Sequence, residues 1–456
     1  LQKATALLLG QEALFGDPDE QRERILAGFR WILVDEYQDI GQEAYDLIAA
    51  LAGRSEREED ERLSLFAVGD DDQNIYSFDG RSVEFIRRFE KDYRAQPEYL
   101  IENYRSTANI IAAANAIIAP AQQRMKGAHP IAINRARRWE HPGGEWEALD
   151  SVGCGKVQLV DAGPSDQTQA VVIVDELLRM SAVAGSNWDW SKVAILACRW
   201  KTLDPVRAYC ELRNIPAMLA DEKPPPIWRL RESQDLLKWV EALKVNLIDP
   251  SMMLKWLDGA HVGPWWQLLR EAVEAYGLET NGVSLPAAHF RDWLAEWGRE
   301  LRRKQTGVLL SSCHRAKGLE FDHVVVLDED WLRRGKLEDA DASRRLFYVA
   351  MTRARHNLVL ARKQNHTGFL DALVKLQAAV ERHVPTPPTP PDELNRIYCK
   401  LTLSDVDMSF AGRCASGDTV HKAIGALKPG DTVSLKAANG RHDLVDSNGH
   451  TVGRLA

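Results

Sequence analysis

Residues 31–39 limit the possible fold of this chain more than any other segment. They read Trp-Ile-Leu-Val-Asp-Glu-Tyr-Gln-Asp, which is an apolar run that ends in acidic side chains. Such a run predicts a buried parallel strand that delivers polar groups to a site at its carboxyl end. The delivered groups are Asp35 and Glu36. Adjacent carboxylates suit nucleotide hydrolysis, because one can hold Mg²⁺ while the other accepts a proton from the attacking water. An isolated acidic pair is more often a solvated strand end, so the interpretation depends on other segments.

Composition limits the class of protein. At 456 residues the chain is too long for a single ordinary domain. Its net charge of −8 does not mark it as a basic nucleic-acid coat, so a polyanion would have to bind in a local positive groove. The six cysteines form no C-x-x-C pair, no apolar stretch reaches membrane-spanning length, and the start Leu-Gln-Lys-Ala lacks a signal-peptide pattern. We therefore expect a cytoplasmic protein with no membrane partner.

Two parts of the chain alternate helices with short apolar strands, which predicts an α/β fold with parallel sheets. In the first part the pattern predicts a helix over 83–93 and strands over 29–34, 63–68 and 98–101. In the second it predicts a helix over 342–355 and strands over 157–160, 193–197, 308–312, 323–327 and 358–361.

The second part is interrupted by residues 222–304, whose pattern is helical and rich in tryptophan. We predict an inserted helical subdomain in which the tryptophans form the core rather than a base-stacking surface. A proline-rich linker over 384–394 then leads to a small β-rich module at 395–456. The sequence does not indicate the function of that module, and a protein partner for it is left open.

A second strand end, within residues 66–80, carries a glutamine and two aromatic residues. Gln73 can sense a γ-phosphate by hydrogen bonding, and Tyr76 and Phe78 can stack exposed bases. One segment would thus contact both a nucleotide and a nucleic acid.

Three further segments carry candidate groups. In Glu102–Thr107, Tyr104 offers a flat face to an adenine and Arg105 a planar charged fork to a phosphate, although a lone arginine is most often a surface ion pair. Downstream lie Ser-Ser-Cys-His-Arg-Ala-Lys-Gly-Leu-Glu-Phe at 311–321 and Arg-Arg-Leu-Phe-Tyr-Val-Ala-Met-Thr-Arg-Ala at 344–354.

In this order the segments resemble motifs II to VI of the UvrD/Rep-like superfamily 1 DNA helicases, over residues from about 1 to 362. The resemblance implies two RecA-like domains, with ATP in the cleft between them and single-stranded DNA across both. It implies ATP-driven 3′ to 5′ movement, single-stranded DNA and single-strand/duplex junctions as partners, and a nucleoid-associated protein of DNA repair or recombination. The implied architecture is a partial first RecA-like P-loop NTPase domain with the end of its 1B subdomain at 1–120, a second RecA-like domain at 121–221 and 305–383, and a shortened 2B-like insertion at 222–304.

The resemblance also implies a role for each candidate residue. Asp35 corresponds to the acid that holds Mg²⁺, Glu36 to the general base and Gln73 to the γ-phosphate sensor. Tyr104 corresponds to the tyrosine that stacks on adenine, and Glu320 to the residue that contacts the ribose. Arg105 and Arg353 correspond to the two arginines that contact the γ-phosphate. The implied DNA contacts are Tyr76, Phe78 and His314.

Three departures from the family pattern bear on DNA binding. Asp79 stands where the family usually has arginine. A positive charge beside the implied DNA path is therefore lost, and weaker DNA binding is expected there. Phe78 replaces the commoner tryptophan, a milder change because both rings stack. The insertion at 222–304 is shorter than the family's 2B subdomain, which often regulates unwinding. We therefore expect the shortening to affect regulation and duplex binding more than ATP hydrolysis.

The family's phosphate loop, G-x-x-x-x-G-K-[ST], is missing from this sequence. Gly155-Lys156 is followed by valine and Gly335-Lys336 by leucine, so neither is such a loop. Residues 1–30 resemble the end of the family's 1B subdomain. We therefore expect the carboxyl-terminal part of a larger helicase, with similar sequences fused behind RecQ-like helicases, and no ATP hydrolysis by this polypeptide alone.

A non-hydrolysing module that binds single-stranded nucleic acid or a protein partner is the alternative function. A helicase–nuclease is disfavoured, because the segment after 384 has neither the acidic and lysine residues nor the cysteine cluster of that nuclease.

Overall fold

The computed structural model describes residues 1–11, 24–54, 62–122, 124–220, 227–259, 264–301, 305, 307–329, 331–332, 340–364, 368–384, 388–395, 401, 405–407, 409–427, 431–438 and 440–455. The side chain of Phe78, the Gly335-Lys336 pair, Cys399 and parts of the proline-rich linker lie outside this description. The chain divides into two compact units, Leu1–Asp221 with Gln305–Arg396, and Glu222–Lys304 with Ile397–Ala456.

The first unit is built on parallel sheets. Its strands are β1 (Trp31–Val34), β2 (Ser64–Ala67), β3 (Glu102–Asn103), β4 (Ala132–Ile133), β5 (Val157–Asp161), β6 (Val193–Ala197), β7 (Ala217–Leu219), β8 (Val308–Ser312), β9 (Phe321–Val326), β10 (Ala354–Arg362) and β11 (Ala379–Arg382). β1 pairs with β2 and β3 with β4, and the other seven strands form one sheet in the order β11-β5-β10-β9-β6-β8-β7. Its α-helices are Gln2–Leu8, Gln42–Ala52, Glu84–Tyr93, Ala108–Ile118, Trp146–Leu149, Asp166–Ala184, Asp204–Leu212 and Ala342–Met351.

Every described pair of neighbouring strands in the seven-stranded sheet is parallel. All residues of β6 and β8 are buried, as expected for parallel strands with both faces covered. Apolar side chains of these strands pack with the helices Ala108–Ile118 and Ala342–Met351 in one core. The α/β fold class predicted from the sequence is therefore confirmed.

Local sequence signals set several helix ends. The helix Asp166–Ala184 begins with a capping box, in which Ser165 and Thr168 each bond the other's backbone N–H. The helix Gln42–Ala52 ends at Gly53, whose left-handed φ of 69° favours glycine.

Four predicted elements differ clearly from the structure. β1 is parallel as predicted, but it is not buried on both faces: Trp31 and Leu33 are 68% and 75% exposed, because the helices that pack on this sheet cover only the other face. The strand predicted over 98–101 is wrong, since the strand is Glu102–Asn103 and Leu100 is exposed. The last helix ends at Met351, and β10 begins at Ala354 rather than Leu358.

The second unit has a helical part and a β-rich part. Its helices are Arg231–Ala242, Pro250–Leu257, Pro264–Glu279, Ala287–Leu301 and Thr419–Ala426. The tryptophans were predicted to form the core of the 227–301 helices, but the buried core consists of other apolar residues. Six tryptophans are partly buried and pack against it, namely Trp228, Trp239, Trp256, Trp266, Trp293 and Trp297. The strands β12 (Ser434–Ala438), β13 (Arg441–Val445) and β14 (Thr451–Arg454) form an antiparallel sheet. Within the described residues, no helix has both the length and the apolar character needed to cross a bilayer.

A buried histidine lies among aromatic rings at the amino end of β9. The ring of His323 stacks on Trp188 with centroids 4.4 Å apart, and Trp146 meets it edge-on at 5.2 Å. Its Nδ1 lies 3.1 Å from Nδ2 of Asn357. Burial lowers the pKa of His323 to about 4, because the charged ring would lose its hydration there.

This depressed pKa predicts a loss of stability in acid. The neutral ring stabilises the fold fully above the unfolded pKa of about 6.5, and this contribution is lost as pH falls towards 4. At pH 5 the expected loss from this residue is about 2 kcal/mol. Urea unfolding at pH 7 and pH 5, with hydrogen exchange of the β9 amides as local readout, should show the loss in the wild type. It should be largely absent in His323→Gln and retained in His356→Gln, which changes a half-exposed histidine. An equal loss in His323→Gln would refute this assignment.

Candidate functional site

The carboxylates predicted to be catalytic lie in a tight turn directly after β1. Glu36 has a left-handed φ of 53°, which costs a non-glycine residue roughly 1 kcal/mol or more. Its backbone N–H donates to Oδ1 of Asp35 at 2.8 Å. Nε2 of Gln38 donates to Oε2 of Glu36 at 2.5 Å. Oε1 of Gln38 accepts from the N–H of Asp70 at 2.9 Å. Gln38, which is 1% exposed, therefore ties the carboxyl ends of β1 and β2 together and orients Glu36.

Gln73 lies in the short helical turn Asp71–Gln73 that follows β2. Its Nε2 donates to Oδ2 of Asp70 at 2.8 Å, and its Oε1 lies 3.5 Å from Nη2 of Arg353. Arg124 donates two hydrogen bonds to the buried carboxylate of Asp72, at 2.8 and 2.7 Å. The backbone oxygen of Asn74, which directly follows Gln73, accepts a hydrogen bond from Nε of Arg345 at 2.7 Å. The turn is thus held by residues that follow their partners in it by 52 to 280 positions.

Arg353 is 3% exposed and lies immediately before β10. Its Nε donates to the carbonyl of Val349 at 2.9 Å, and its Nη1 to the carbonyl of Leu319 at 3.3 Å. Burial lowers the pKa of Arg353 to about 10, and the charge of nearby Arg105 acts in the same direction. The guanidinium therefore stays charged at neutral pH and lies close to a second positive charge.

Arg105 is fixed to the same end of the seven-stranded sheet. The hydroxyl of Ser106 donates to the carbonyl of Ala354, and the N–H of Thr107 donates to the carbonyl of Arg355 at 3.1 Å. Nε of Arg105 donates to Oε2 of Glu320 at 2.5 Å, and Arg355 contacts Oε1 of Glu320. The carboxylate of Glu320 thus forms ion pairs with both Arg105 and Arg355 in this structure.

A lysine links this end of the sheet to the turn after β1. Nζ of Lys317 contacts Oδ2 of Asp39, lies 3.2 Å from Oε2 of Glu36 and donates to the carbonyl of Gln73 at 3.0 Å. Its side chain is 8% exposed. Burial raises the pKa of Asp39, and the contact with Lys317 opposes that rise.

Beside this lysine lies a group of aromatic and basic side chains. The hydroxyl of Tyr76 donates to the carbonyl of His314 at 3.2 Å, and the two rings are 6.0 Å apart. The guanidinium of Arg81 lies over the Tyr76 ring at 4.7 Å and 3.7 Å from the carboxylate of Asp79. Alternating rings and positive charges are typical of surfaces that bind single-stranded nucleic acid.

Tyr104 is a largely exposed member of the predicted site. The residue is 71% exposed, and its hydroxyl donates to Oε2 of Glu102 at 3.3 Å. The backbone of Phe78 lies in the turn Ser77–Asp79, whereas its side chain is outside the described residues. An exposed ring beside Arg105 is open to a flat ligand.

Two places could attract a divalent cation. Asp35 keeps Oδ2 free of the turn hydrogen bond at Oδ1, and a single exposed carboxylate fits Mg²⁺, which usually keeps several waters and takes its remaining ligands from phosphates. The adjacent acids Asp70, Asp71 and Asp72 lie within ligand distance of one another. They fit less well, because Arg124 and Lys126 already pair with Asp72 and Asp70.

The comparisons with known families match both sides of this site. The UvrD/REP helicase N-terminal domain matches residues 2–94, which contain Asp35, Glu36 and Gln73. The UvrD-like helicase C-terminal domain matches residues 307–361, which contain Lys317, Glu320 and Arg353.

Similar proteins carry helicase names. Protein YjcD of Bacillus subtilis, provisionally named an ATP-dependent DNA helicase, is 26% identical over 429 residues, covering 78% of this chain and 54% of YjcD. The ATP-dependent DNA helicase PcrA of Staphylococcus epidermidis is 29% identical over 274 residues, covering 59% of this chain and 32% of PcrA. Residues 2–94 and 307–361 thus match UvrD-like helicase domains, and the relatives that extend over more of the chain carry names of the same helicase family.

A shorter stretch of the chain matches another helicase at higher identity. ATP-dependent DNA helicase UvrD1 of Mycobacterium tuberculosis is 47% identical to this UvrD-like chain over 92 residues, covering 20% of the chain and 12% of UvrD1. The chain spans about half the length of YjcD and smaller shares of PcrA and UvrD1.

The structure brings together most residues that sequence reasoning selected. Glu36, Gln73, Arg105, Glu320 and Arg353 form one connected cluster, and Tyr76 lies against His314. The roles assigned to them remain predictions.

Several residues of the UvrD-like site were missed. Gln38 and Lys317 lie inside segments that had been selected, but neither residue type signals burial in a site by itself. Arg81, two positions after the unusual Asp79, could have been noticed as a nearby replacement for the missing positive charge.

Proposed function

We propose that the protein containing this chain is an ATP-dependent DNA helicase or translocase that moves 3′ to 5′ on single-stranded DNA, in repair or recombination. The observation that carries the proposal is the contact between Gln73 and Arg353, with Glu36 joined to the same cluster through Lys317. These residues come from three separate segments, and each is of the type that hydrolysis of a γ-phosphate requires.

In the proposed reaction, Glu36 accepts a proton from a water molecule whose oxygen attacks the γ-phosphorus of ATP. The bond between that phosphorus and the β–γ bridging oxygen breaks, and ADP and inorganic phosphate result. The positive charges of Arg353 and Arg105 stabilise the charge that develops on the γ-phosphoryl oxygens. Gln73 is placed to orient the water or the γ-phosphate. Mg²⁺ held by Asp35 would supply further neutralisation of the phosphates.

The pairing of Arg105 with Glu320 supports nucleotide-dependent movement of the site residues. Arg105 pairs with Glu320 in this structure, so it must leave that carboxylate to reach a phosphate. In the proposal, Glu320 then becomes available to the ribose, with Arg355 as its remaining cation. Tyr104 is exposed beside Arg105 and would stack on the adenine.

Single-stranded DNA is proposed to cross the Tyr76 and His314 pair. Arg81 lies over the Tyr76 ring and adds the positive charge that Asp79 lacks. Arg315, the neighbour of His314, lies 5.5 Å from the ring centre of Trp200, which extends the alternation of rings and charges.

Tyr76→Ala is expected to weaken binding of single-stranded DNA by about 1–3 kcal/mol, or roughly 5- to 150-fold in Kd, through loss of base stacking. Fluorescence anisotropy with a labelled oligonucleotide measures this effect. The matched control is Tyr99→Ala, which changes a tyrosine that stacks on His129 outside this group. Equal affinities of wild type and Tyr76→Ala would remove Tyr76 from the proposed path.

The proposal as a whole is tested with the full-length protein, because ATP also needs groups for its other phosphates. We expect ATP hydrolysis that rises with added single-stranded DNA, and unwinding of a duplex with a 3′ tail but not of one with a 5′ tail. DNA binding without hydrolysis would instead favour a non-hydrolysing module that binds single-stranded nucleic acid.

A further inference from the structure

Two cysteines lie opposite each other at the carboxyl ends of neighbouring strands. β6 and β8 are parallel, and the last pair in their register is Ala197 with Ser312. The next pair in the same register is Cys198 with Cys313. The N–H of Cys313 donates to the carbonyl of Ala197 at 2.9 Å, so the hydrogen bonding between the two strands continues to this position.

Both thiols lie on the same face of the sheet. Successive side chains of a strand alternate between its faces, so Cys198 shares a face with Leu196, and Cys313 with Leu309. Leu196, Leu309 and Cys313 belong to one buried core, and Cys198 packs against it. Neighbouring strands are about 4.8 Å apart, and a disulfide needs Cα atoms separated by roughly 4.4–6.8 Å. The two positions therefore meet the geometric requirement for a disulfide.

The two thiols differ in their access to solvent. Cys313 is fully buried, whereas Cys198 is partly exposed. Burial raises the pKa of Cys313 well above its usual value, and the nearby Cys198 and Glu329 act in the same direction, because a thiolate there would meet other negative charges. An oxidant from solvent therefore reaches Cys198 first, and Cys313 is the neighbouring thiol that can react next.

The backbone around Cys198 is held by a buried carboxylate. Glu329 is 3% exposed, and it accepts from the N–H of Cys198 and, at 3.2 Å, from the N–H of Arg199. It also accepts from the hydroxyl of Thr202. These contacts fix the end of β6, so Cys198 is presented to Cys313 by an ordered segment.

We propose that Cys198 and Cys313 form a reversible disulfide when hydrogen peroxide reaches Cys198, and that the bond restrains the turn between β8 and β9. The sulfur of Cys198 loses its proton and attacks one peroxide oxygen. The O–O bond breaks, which leaves a sulfenic acid, and the departing hydroxide takes up the proton as water. The sulfur of Cys313 then attacks that of Cys198, the S–O bond breaks, and the thiol proton of Cys313 leaves with the hydroxide as a second water. Two thiols thus give two electrons to one peroxide.

The bond would join the end of β6 to the first residue of the turn that carries His314. In a reducing compartment such a pair is reduced at rest and responds to an oxidant, as redox-sensing cysteines do. The inference does not rest on the proposed function, because the bond and the motion of the turn are measured directly.

The test treats the folded full-length protein with hydrogen peroxide, blocks the remaining thiols and digests the protein with trypsin without reduction. Residues 193–199 and 305–315 are tryptic peptides with one cysteine each. We expect mass spectrometry to find these two peptides linked, in protein that runs as a monomer on a non-reducing gel, and to find them separate after dithiothreitol. Hydrogen exchange of the amides of 314–320 should be several-fold slower in the linked protein than in the reduced protein.

Two variants serve as controls. Cys198→Ser should leave 305–315 unlinked, and peroxide should then not slow exchange in the turn. Cys210→Ser is the matched control, because it removes another buried thiol, in the helix Asp204–Leu212, and it should form the link as the wild type does.

Peptides that stay separate after peroxide treatment of the folded wild type, or that become linked only after unfolding in urea, would overturn the disulfide. Linked peptides without slower exchange of 314–320 would overturn the restraint of the turn. Neither result changes the assignment of Glu36, Gln73 and Arg353, which ATP hydrolysis tests separately.

Discussion

Arg353→Ala is expected to lower kcat for ATP hydrolysis by the full-length protein by about 10³-fold or more. The buried guanidinium lies 3.5 Å from the side-chain oxygen of Gln73, and its hydrogen bonds to the carbonyls of Val349 and Leu319 fix its position before ATP arrives. A preformed charge of this kind stabilises the transition state without reorganisation during the reaction. Steady-state hydrolysis with saturating single-stranded DNA is the measurement.

Two further variants separate catalysis from folding. Arg353→Lys keeps a positive charge but loses the planar fork, so an intermediate rate is expected. Arg362→Ala removes an arginine that pairs with Asp161 and Glu381 at the other end of β10, and it should keep kcat near the wild-type value. A rate for Arg353→Ala within a few-fold of wild type, in a folded protein, would exclude Arg353 from the reaction.

Glu36→Gln is expected to lower kcat by about 10²- to 10⁴-fold with little change in the affinity for ATP. Glutamine has the same shape, and it can still bond Gln38, but it cannot accept a proton from water. Rapid-quench measurement of a single turnover gives the rate of the chemical step, and nucleotide binding is measured separately with a fluorescent analogue.

Glu43→Gln is the control for Glu36→Gln, because Glu43 lies seven residues away and pairs with Gln2 on the surface. It should hydrolyse ATP at the wild-type rate. If Glu36→Gln keeps that rate as well, another group must accept the proton.

The fold was predictable where apolar patterns are strong and burial is complete. β6 and β8 have the predicted bounds, because continuous apolar runs covered on both faces leave few alternatives. Residues 98–101 were predicted as a strand on the same kind of pattern, but Leu100 is 84% exposed and pairing begins only at Glu102. An apolar run predicts a strand correctly only when the fold supplies a partner for it.

The sequence predicted which residues belong to the site, but not which of them contact one another. Gln73 and Arg353 are 280 positions apart, and Lys317 and Asp39 are 278 apart, so no local pattern indicates that they meet. Segment order and the family resemblance selected the residues. The pairing of Arg105 with Glu320 and of Lys317 with Glu36 depends on how the strands of two sheets are arranged, which only the structure shows.

The central claim is that the cluster around Glu36, Gln73 and Arg353 hydrolyses ATP in response to single-stranded DNA. Its most direct test is the steady-state ATPase rate of the full-length protein and of its Glu36→Gln variant across a titration with single-stranded DNA. We predict a wild-type rate that rises to saturation with DNA and a variant rate at least about 10²-fold lower at every DNA concentration. A wild-type rate that does not respond to DNA, or a variant rate that matches it, would contradict the claim.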